Sequence, residues 1–473
     1  ETHIFSGGKL ECDQTNSTDD SNMEVDSTFD SMLVDSGGTL SLSPTTTFIE
    51  SEASSHAFRI SGGGTLENND GTLEIKTAGS TRLTMNGTGD VHNLTVNHGS
   101  CNLFLEGDTS TTVEGNLTIT QGTVTTTTEG GASRNLIVTG NLDISGTLTC
   151  GSSDVTVRAV ELGGGGTLSA PNNSSTNGLI ITQNLTDSSD GDAFDTEPAG
   201  SSATFTHNNG TVTFKGNKNV QIRNTSGENF YDVVIDCAAG GDQSVETQRN
   251  ITIENNLTIK EGAFRSYASD RSITVNGNVV IENGGVLGGA LGTDRENALD
   301  YSFGSLTINS GGTYLATTGT TIVKSRTSGG YSWYAPTTGS IFTHNNGTVR
   351  FTLESWGGAD ETYVQGTNFY NLEFDANTSA REFRYDDLTD NSGLTVLNNL
   401  TITDGRVRFN QGGDSVTVHG TTTMEGGQYG NTGTAPSGTH NYNGLVIING
   451  GTWKLSSGTN NMTGIRKFGG SLA

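Results

Sequence analysis

Four aspartates, Asp187, Asp190, Asp192 and Asp195, crowd the run Asp187-Ser-Ser-Asp-Gly-Asp-Ala-Phe-Asp195. Two carboxylates at a fixed separation can serve as acid and base, or as acid and nucleophile, in cleaving a glycosidic bond. The same oxygens could gather around Ca2+, although the run lacks the closing Glu of an EF-hand loop. An acidic stretch between strands reads first as a solvated turn, so neither a catalytic pair nor a metal site is expected there. Elsewhere the densest charged cluster is Arg381-Glu-Phe-Arg-Tyr-Asp-Asp387. It holds the cation and base that a polysaccharide lyase needs, but a ladder of exposed ion pairs accounts for it at least as well.

The octapeptide Phe-Thr-His-Asn-Asn-Gly-Thr-Val occurs twice, at 205–212 and 342–349, an offset of 137 residues (342 − 205). Phe205, His207, Asn209 and Gly210 thus return as Phe342, His344, Asn346 and Gly347. A catalytic group is rarely duplicated in both copies of a tandem array, whereas a structural one naturally is. The eight residues are therefore read as structural repeat markers, with the imidazole expected to bond across a turn to the adjacent coil. Phe230-Tyr231 and Phe369-Tyr370 also recur in register. Strand side chains alternate, so one of each pair points inward and the other outward. Outward Tyr231 and Tyr370 are the carbohydrate-stacking candidates, set against the plainer reading of coil-to-coil packing.

No His or Cys group has zinc spacing, and there is neither a Ser-His-Asp elbow nor a phosphate-cradling Gly loop leading into a helix. No cofactor is expected, and the chain is expected not to be an enzyme. Cys12 and Cys150 occupy equivalent positions in Gly8-Lys-Leu-Glu-Cys12 and Gly146-Thr-Leu-Thr-Cys150, too far apart to bridge. They are expected to be buried thiols, each facing inward with the Leu two residues before it.

The elements that must carry these residues are short strands. Asn-Leu-Thr-Ile recurs at Asn116, Asn256 and Asn399, and strand-like triplets starting at Val212, Val233, Leu257, Val279 and Leu306 set a beat of roughly 23 residues. Asn-Gly, Gly-Gly and Asn-Asn punctuate the beat as turns. This pattern predicts an all-β fold, a right-handed parallel β-helix (solenoid) of about twenty coils, two or three strands each, built from tandem repeats of roughly 140 residues. The expected divisions are a partial repeat at 1–63, repeats at 64–199 and 200–338, and at 339–473 a third repeat with the start of a further one, all in one continuous solenoid. A string of β-sandwich domains is the weaker alternative. The Thr-rich stretch near Gly122 brings ice binding to mind, but the uneven beat would not give a flat face. Sequons such as Asn86, Asn93, Asn116 and Asn184 arise largely from the beat itself.

Composition narrows the partners. The net charge of −27 disfavours nucleic acid and anionic membrane, and no apolar run is long enough for a membrane helix, so no membrane insertion is expected. Only 31% of residues are hydrophobic, which suffices for a narrow core fed by alternate strand residues.

The runs Phe-Thr-His-Asn-Asn-Gly-Thr-Val-Thr-Phe, Asn-Phe-Tyr-Asp-Val-Val-Ile and Asn-Asn-Leu-Thr-Ile resemble long repetitive β-helical surface proteins of bacteria and phages, the adhesin-like or virion fibre proteins. The resemblance implies a secreted, cell-surface or virion-surface location and a role as stalk, fibre or attachment module. The expected function is a non-enzymatic structural rod of such an appendage. A tail-spike-like polysaccharide depolymerase and a carbohydrate-binding adhesin are the alternatives. Expected partners are copies of the chain or other appendage subunits, since neither terminus shows a cap, and glycans. The chain reads as an excised or mature part of something longer.

Overall fold

The structure is a computed structural model. It describes residues 1–12, 26–52, 55–107, 109–183, 192–196, 202–216, 220–224, 229–237, 243–267, 271–288, 298–336, 338–354, 361–366, 368–376, 378, 381–385, 393–409, 414–430 and 438–473. The described residues contain strands and turns and no helix. Parallel coils stack into a β-solenoid of about 15 turns. That is fewer than the twenty inferred from a 23-residue beat, because coils vary in length. Along one column the step is 18 residues from Leu142 to Val160 (160 − 142) and 34 from Val160 to Phe194 (194 − 160). No helix among the described residues is long and apolar enough to cross a membrane.

The chain divides into two compact units, Glu1–Asp232 and Val233–Ala473, the division falling inside the 200–338 repeat. In the first unit each full coil gives three strands. The strand Asn93–Gly107, for example, pairs along one part with Thr72–Ile75 and along another with Gly79–Met85. Alternation does the sorting: Leu73, Leu94, Leu117 and Leu142 are in register and fully buried, while Thr95 and Thr118 beside them stay partly exposed. Each such Leu stabilises the fold by about 1.5–3 kcal/mol through burial. All four cysteines are buried, as expected for Cys12 and Cys150, and no disulfide joins the described residues.

The second unit repeats the three-strand coil with a more aromatic interior. Phe303, Val323, Phe351, Phe374 and Ile402 form one inward column. Trp333, Val364, Tyr385 and Phe409 form another.

The Asn of the Asn-Leu-Thr-Ile beat supplies the corners. Asn116 N–H donates to Asn93 Oδ1 at 2.9 Å, and Asn141 N–H donates to Asn116 Oδ1 at 2.8 Å. In the second unit Asn278 N–H donates to Asn256 Oδ1 at 3.0 Å and Thr421 N–H to Asn399 Oδ1 at 3.0 Å. Each amide thus satisfies a corner N–H of the next coil that no strand ladder could reach.

Candidate functional site

The octapeptide builds a turn. Asn208 and Asn209 both adopt left-handed φ (50° and 57°), as do Asn345 and Asn346 (44° and 60°), a conformation that Asn tolerates better than most residues. Gly210 follows because a Cβ there would lie 1.9 Å from the Pro171 carbonyl oxygen; at Gly347 it would lie 2.3 Å from that of Thr317. Asn208 Nδ2 donates to the Ala170 carbonyl, and Asn345 Nδ2 to that of Ala316, both at 2.7 Å on the preceding coil. The imidazole accepts a bond inside its own turn. His207 Nδ1 accepts the Asn209 N–H at 2.9 Å and His344 Nδ1 the Asn346 N–H at 3.0 Å, within the same turn; Asn208 and Asn345 make the cross-coil bond. Asn68 does the histidine's work in the related turn of the first unit, where its Oδ1 accepts the Asp70 N–H.

Tyr231 and Tyr370 stack on these histidines. Ring centroids lie 5.6 Å apart for His207–Tyr231 and 5.4 Å for His344–Tyr370, with 23° between planes in both. One face of each proposed sugar platform is thus turned to an imidazole. Their neighbours go inward: Phe230 packs against Phe194 and Phe205, and Phe369 against Trp333 and Phe342.

Asp187 and Asp190 lie outside the described residues, as do Asp386 and Asp387. Asp192 and Asp195 are on the strand Asp192–Asp195, and Arg223 Nη1 approaches both, at 3.0 and 3.4 Å. Among the described residues no group of three or more His, Cys, Asp or Glu side chains could hold a metal.

A different constellation stands out in the second unit. Four successive strands of one column are Tyr331–Tyr334, Glu361–Gln365, Glu382–Tyr385 and Arg406–Phe409. Their register puts Tyr331, Tyr363, Arg384 and Arg408 in one row, with Glu361, Glu382 and Arg406 in the row beside it. Trp333, Val364, Phe383, Tyr385, Val407 and Phe409 point into the core, so the two rows lie on the outer face, where Glu382 is covered by the arginines around it. Tyr331 and Tyr363 have centroids 5.5 Å apart, and Tyr334 meets Tyr331 edge-on at 5.1 Å. Gly330 lets Tyr363 lie close, since a Cβ would sit 3.2 Å from its ring.

Beyond the tyrosines runs an ion-pair ladder. Arg384 pairs with Glu361 and, through Nε, with Glu382 Oε1 at 2.6 Å; Arg408 Nε reaches Glu382 Oε2 at 3.0 Å. Burial alone would lower the Arg384 pKa, but the bond to Glu382 and the charges of Glu382 and Glu361 raise it above the ordinary arginine value. The ladder form expected for the Arg381–Asp387 cluster is therefore present around Arg384. Arg406 forms no ion pair, and the Tyr334 and Tyr363 hydroxyls make no hydrogen bond, among the described residues. Aromatic faces beside fixed charged donors and acceptors can hold a polyhydroxylated ligand: C–H faces against the rings, hydroxyls against the ladder.

Residues 239–438 match the family described as carbohydrate-binding domain-containing protein. The match lies within the second unit and contains the whole tyrosine–arginine strip. No curated protein and no solved structure is significantly similar to the chain. The sequence drew attention to Arg381–Asp387, and so to Arg384, but not to the tyrosines and arginines that the register sets beside it.

Proposed function

We propose that the chain is a non-enzymatic, glycan-binding β-solenoid, part of an extracellular appendage of a cell or virion, and that it binds through the outward strip of Tyr331, Tyr334, Tyr363, Arg384, Arg406 and Arg408. The observation that carries this reading is the coincidence of that strip with the residues matching the carbohydrate-binding family. The stacked coils supply what a binding strip requires. Each side chain is fixed by a strand whose alternate residues are locked in the core, so little ordering entropy is lost on binding. The repetitive solenoid and the resemblance of its repeats to long surface proteins support the rod role and the surface location.

A glycan array probed with the whole chain tests the proposal. Tyr331→Ala and Tyr363→Ala are expected to weaken every glycan hit about tenfold or more. Tyr231→Ala, on the first unit, is expected to leave the hits unchanged. An array with no hits, or hits indifferent to Tyr331 and Tyr363, would overturn the reading.

A further inference from the structure

We infer that the ligand of the strip is a neutral, extended polysaccharide lying along the stacking direction of the second unit and crossing at least four coils. This rests on the glycan-binding reading above and adds the class and direction of the ligand. Direction comes from the register. Tyr331, Tyr363, Arg384 and Arg408 succeed one another coil by coil in a single row. At the inter-strand spacing of about 4.8 Å, the three steps between them cover roughly 14 Å. One sugar ring meets one or two of these side chains; a tetrasaccharide laid along the row meets all of them.

Neutrality comes from the pairing of charges. Arg384 is hydrogen-bonded to Glu382, which lies buried beneath it, Arg408 is ion-paired with the same carboxylate and Arg384 also with Glu361, so two arginines meet two glutamates; Arg406 in the adjoining row is the one cation of the strip that pairs with none of the described residues. Donors and acceptors thus alternate along the strip. A sugar hydroxyl both donates and accepts and can use both kinds of group. A carboxylate or sulfate only accepts; it would have to displace a glutamate from its arginine and would then face that glutamate's charge. The net charge of −27 adds long-range repulsion of any polyanion.

Titration calorimetry of the whole chain with cello-, xylo-, manno- and chito-oligosaccharides of one to six sugars, and with polygalacturonate and dextran sulfate, tests this. Affinity for at least one neutral series is expected to climb more than tenfold from the monosaccharide to the tetrasaccharide and then level off. It is expected to change less than twofold up to about 0.5 M salt, where unpaired charges would be screened. Tyr363→Ala and Arg408→Gln are each expected to lower the tetrasaccharide affinity. Polygalacturonate or dextran sulfate bound through the same residues, with affinity falling as salt rises, would overturn neutrality and leave glycan binding standing. Affinity already complete with a monosaccharide would overturn the extended mode alone. Binding of no probe, neutral or acidic, would overturn this inference and the glycan-binding reading together.

Discussion

His440 shows how strongly a single position responds to its surroundings. It is buried among Phe409, Tyr429 and Tyr442, with Nδ1 3.4 Å from the Tyr442 hydroxyl, which itself donates to Tyr429 Oη at 2.6 Å. Burial pulls its pKa down from 6.5 to about 4, against a smaller upward pull from a bond to the Asp414 backbone. The unfolded chain therefore takes up this proton first. The stability tied to a neutral His440 is complete above pH 6.5 and is lost as pH falls toward 4, on the order of 3 kcal/mol in all. Urea unfolding of wild type and His440→Phe should show the gap between them shifting in favour of Phe across that window; a pH-independent gap would contradict the assignment. The turn glycines give a second test. Gly347→Ala drives a methyl to within 2.3 Å of the Thr317 carbonyl oxygen, so a cost of about 1–3 kcal/mol is expected by chemical denaturation. A neutral substitution would mean that the coils can part there at no cost.

At the scale of the coil, the corner asparagines link one strand set to the next. Asn116 stands between two bonds of the ladder, donating its own N–H to Asn93 and accepting that of Asn141. Asn116→Ala leaves the Asn141 N–H without its acceptor, at an expected cost of about 1–2 kcal/mol, with faster amide exchange at Asn141 as the local sign. These corners and the Asn-Asn-Gly turns were legible in the sequence. Left-handed φ and close backbone approach admit so few residue types that the same letters return at the same places. Strand alternation and inward Leu columns were legible for a similar reason. The number of coils was not, because many coils are longer than the beat of the recognisable triplets, as the 34-residue step from Val160 to Phe194 shows. The tyrosine–arginine strip was hidden more deeply. Tyr331, Tyr363, Arg384 and Arg408 stand 32, 21 and 24 residues apart, only Arg408 has a like residue at the equivalent place of another repeat (Arg265, nine residues after the Asn of Asn-Leu-Thr-Ile as Arg408 is), and a register shift between Tyr331 and Trp333 is needed to align them. His207 and Tyr231 were visible as residues, but their stacking on successive coils was not.

For the molecule as a whole, the acidic balance and the paired glutamates of the strip belong together. Excess Asp and Glu keep a long stack of strands soluble and discourage edge-to-edge pairing, while within the strip each described glutamate is matched by arginine. On the proposed reading, the acidic balance repels polyanions and the outward strip of the second unit is where rings, hydroxyls and paired charges meet a sugar chain. The most direct measurement is a crystal structure of the chain soaked with the hexasaccharide that binds best. Sugar rings are expected to pack on Tyr331 and Tyr363, with hydroxyls on Arg384, Glu361 and Arg408 and the glycan running from coil to coil. A glycan seated instead against Tyr231 or Tyr370, or lying across the coils away from Tyr363, would contradict the proposal.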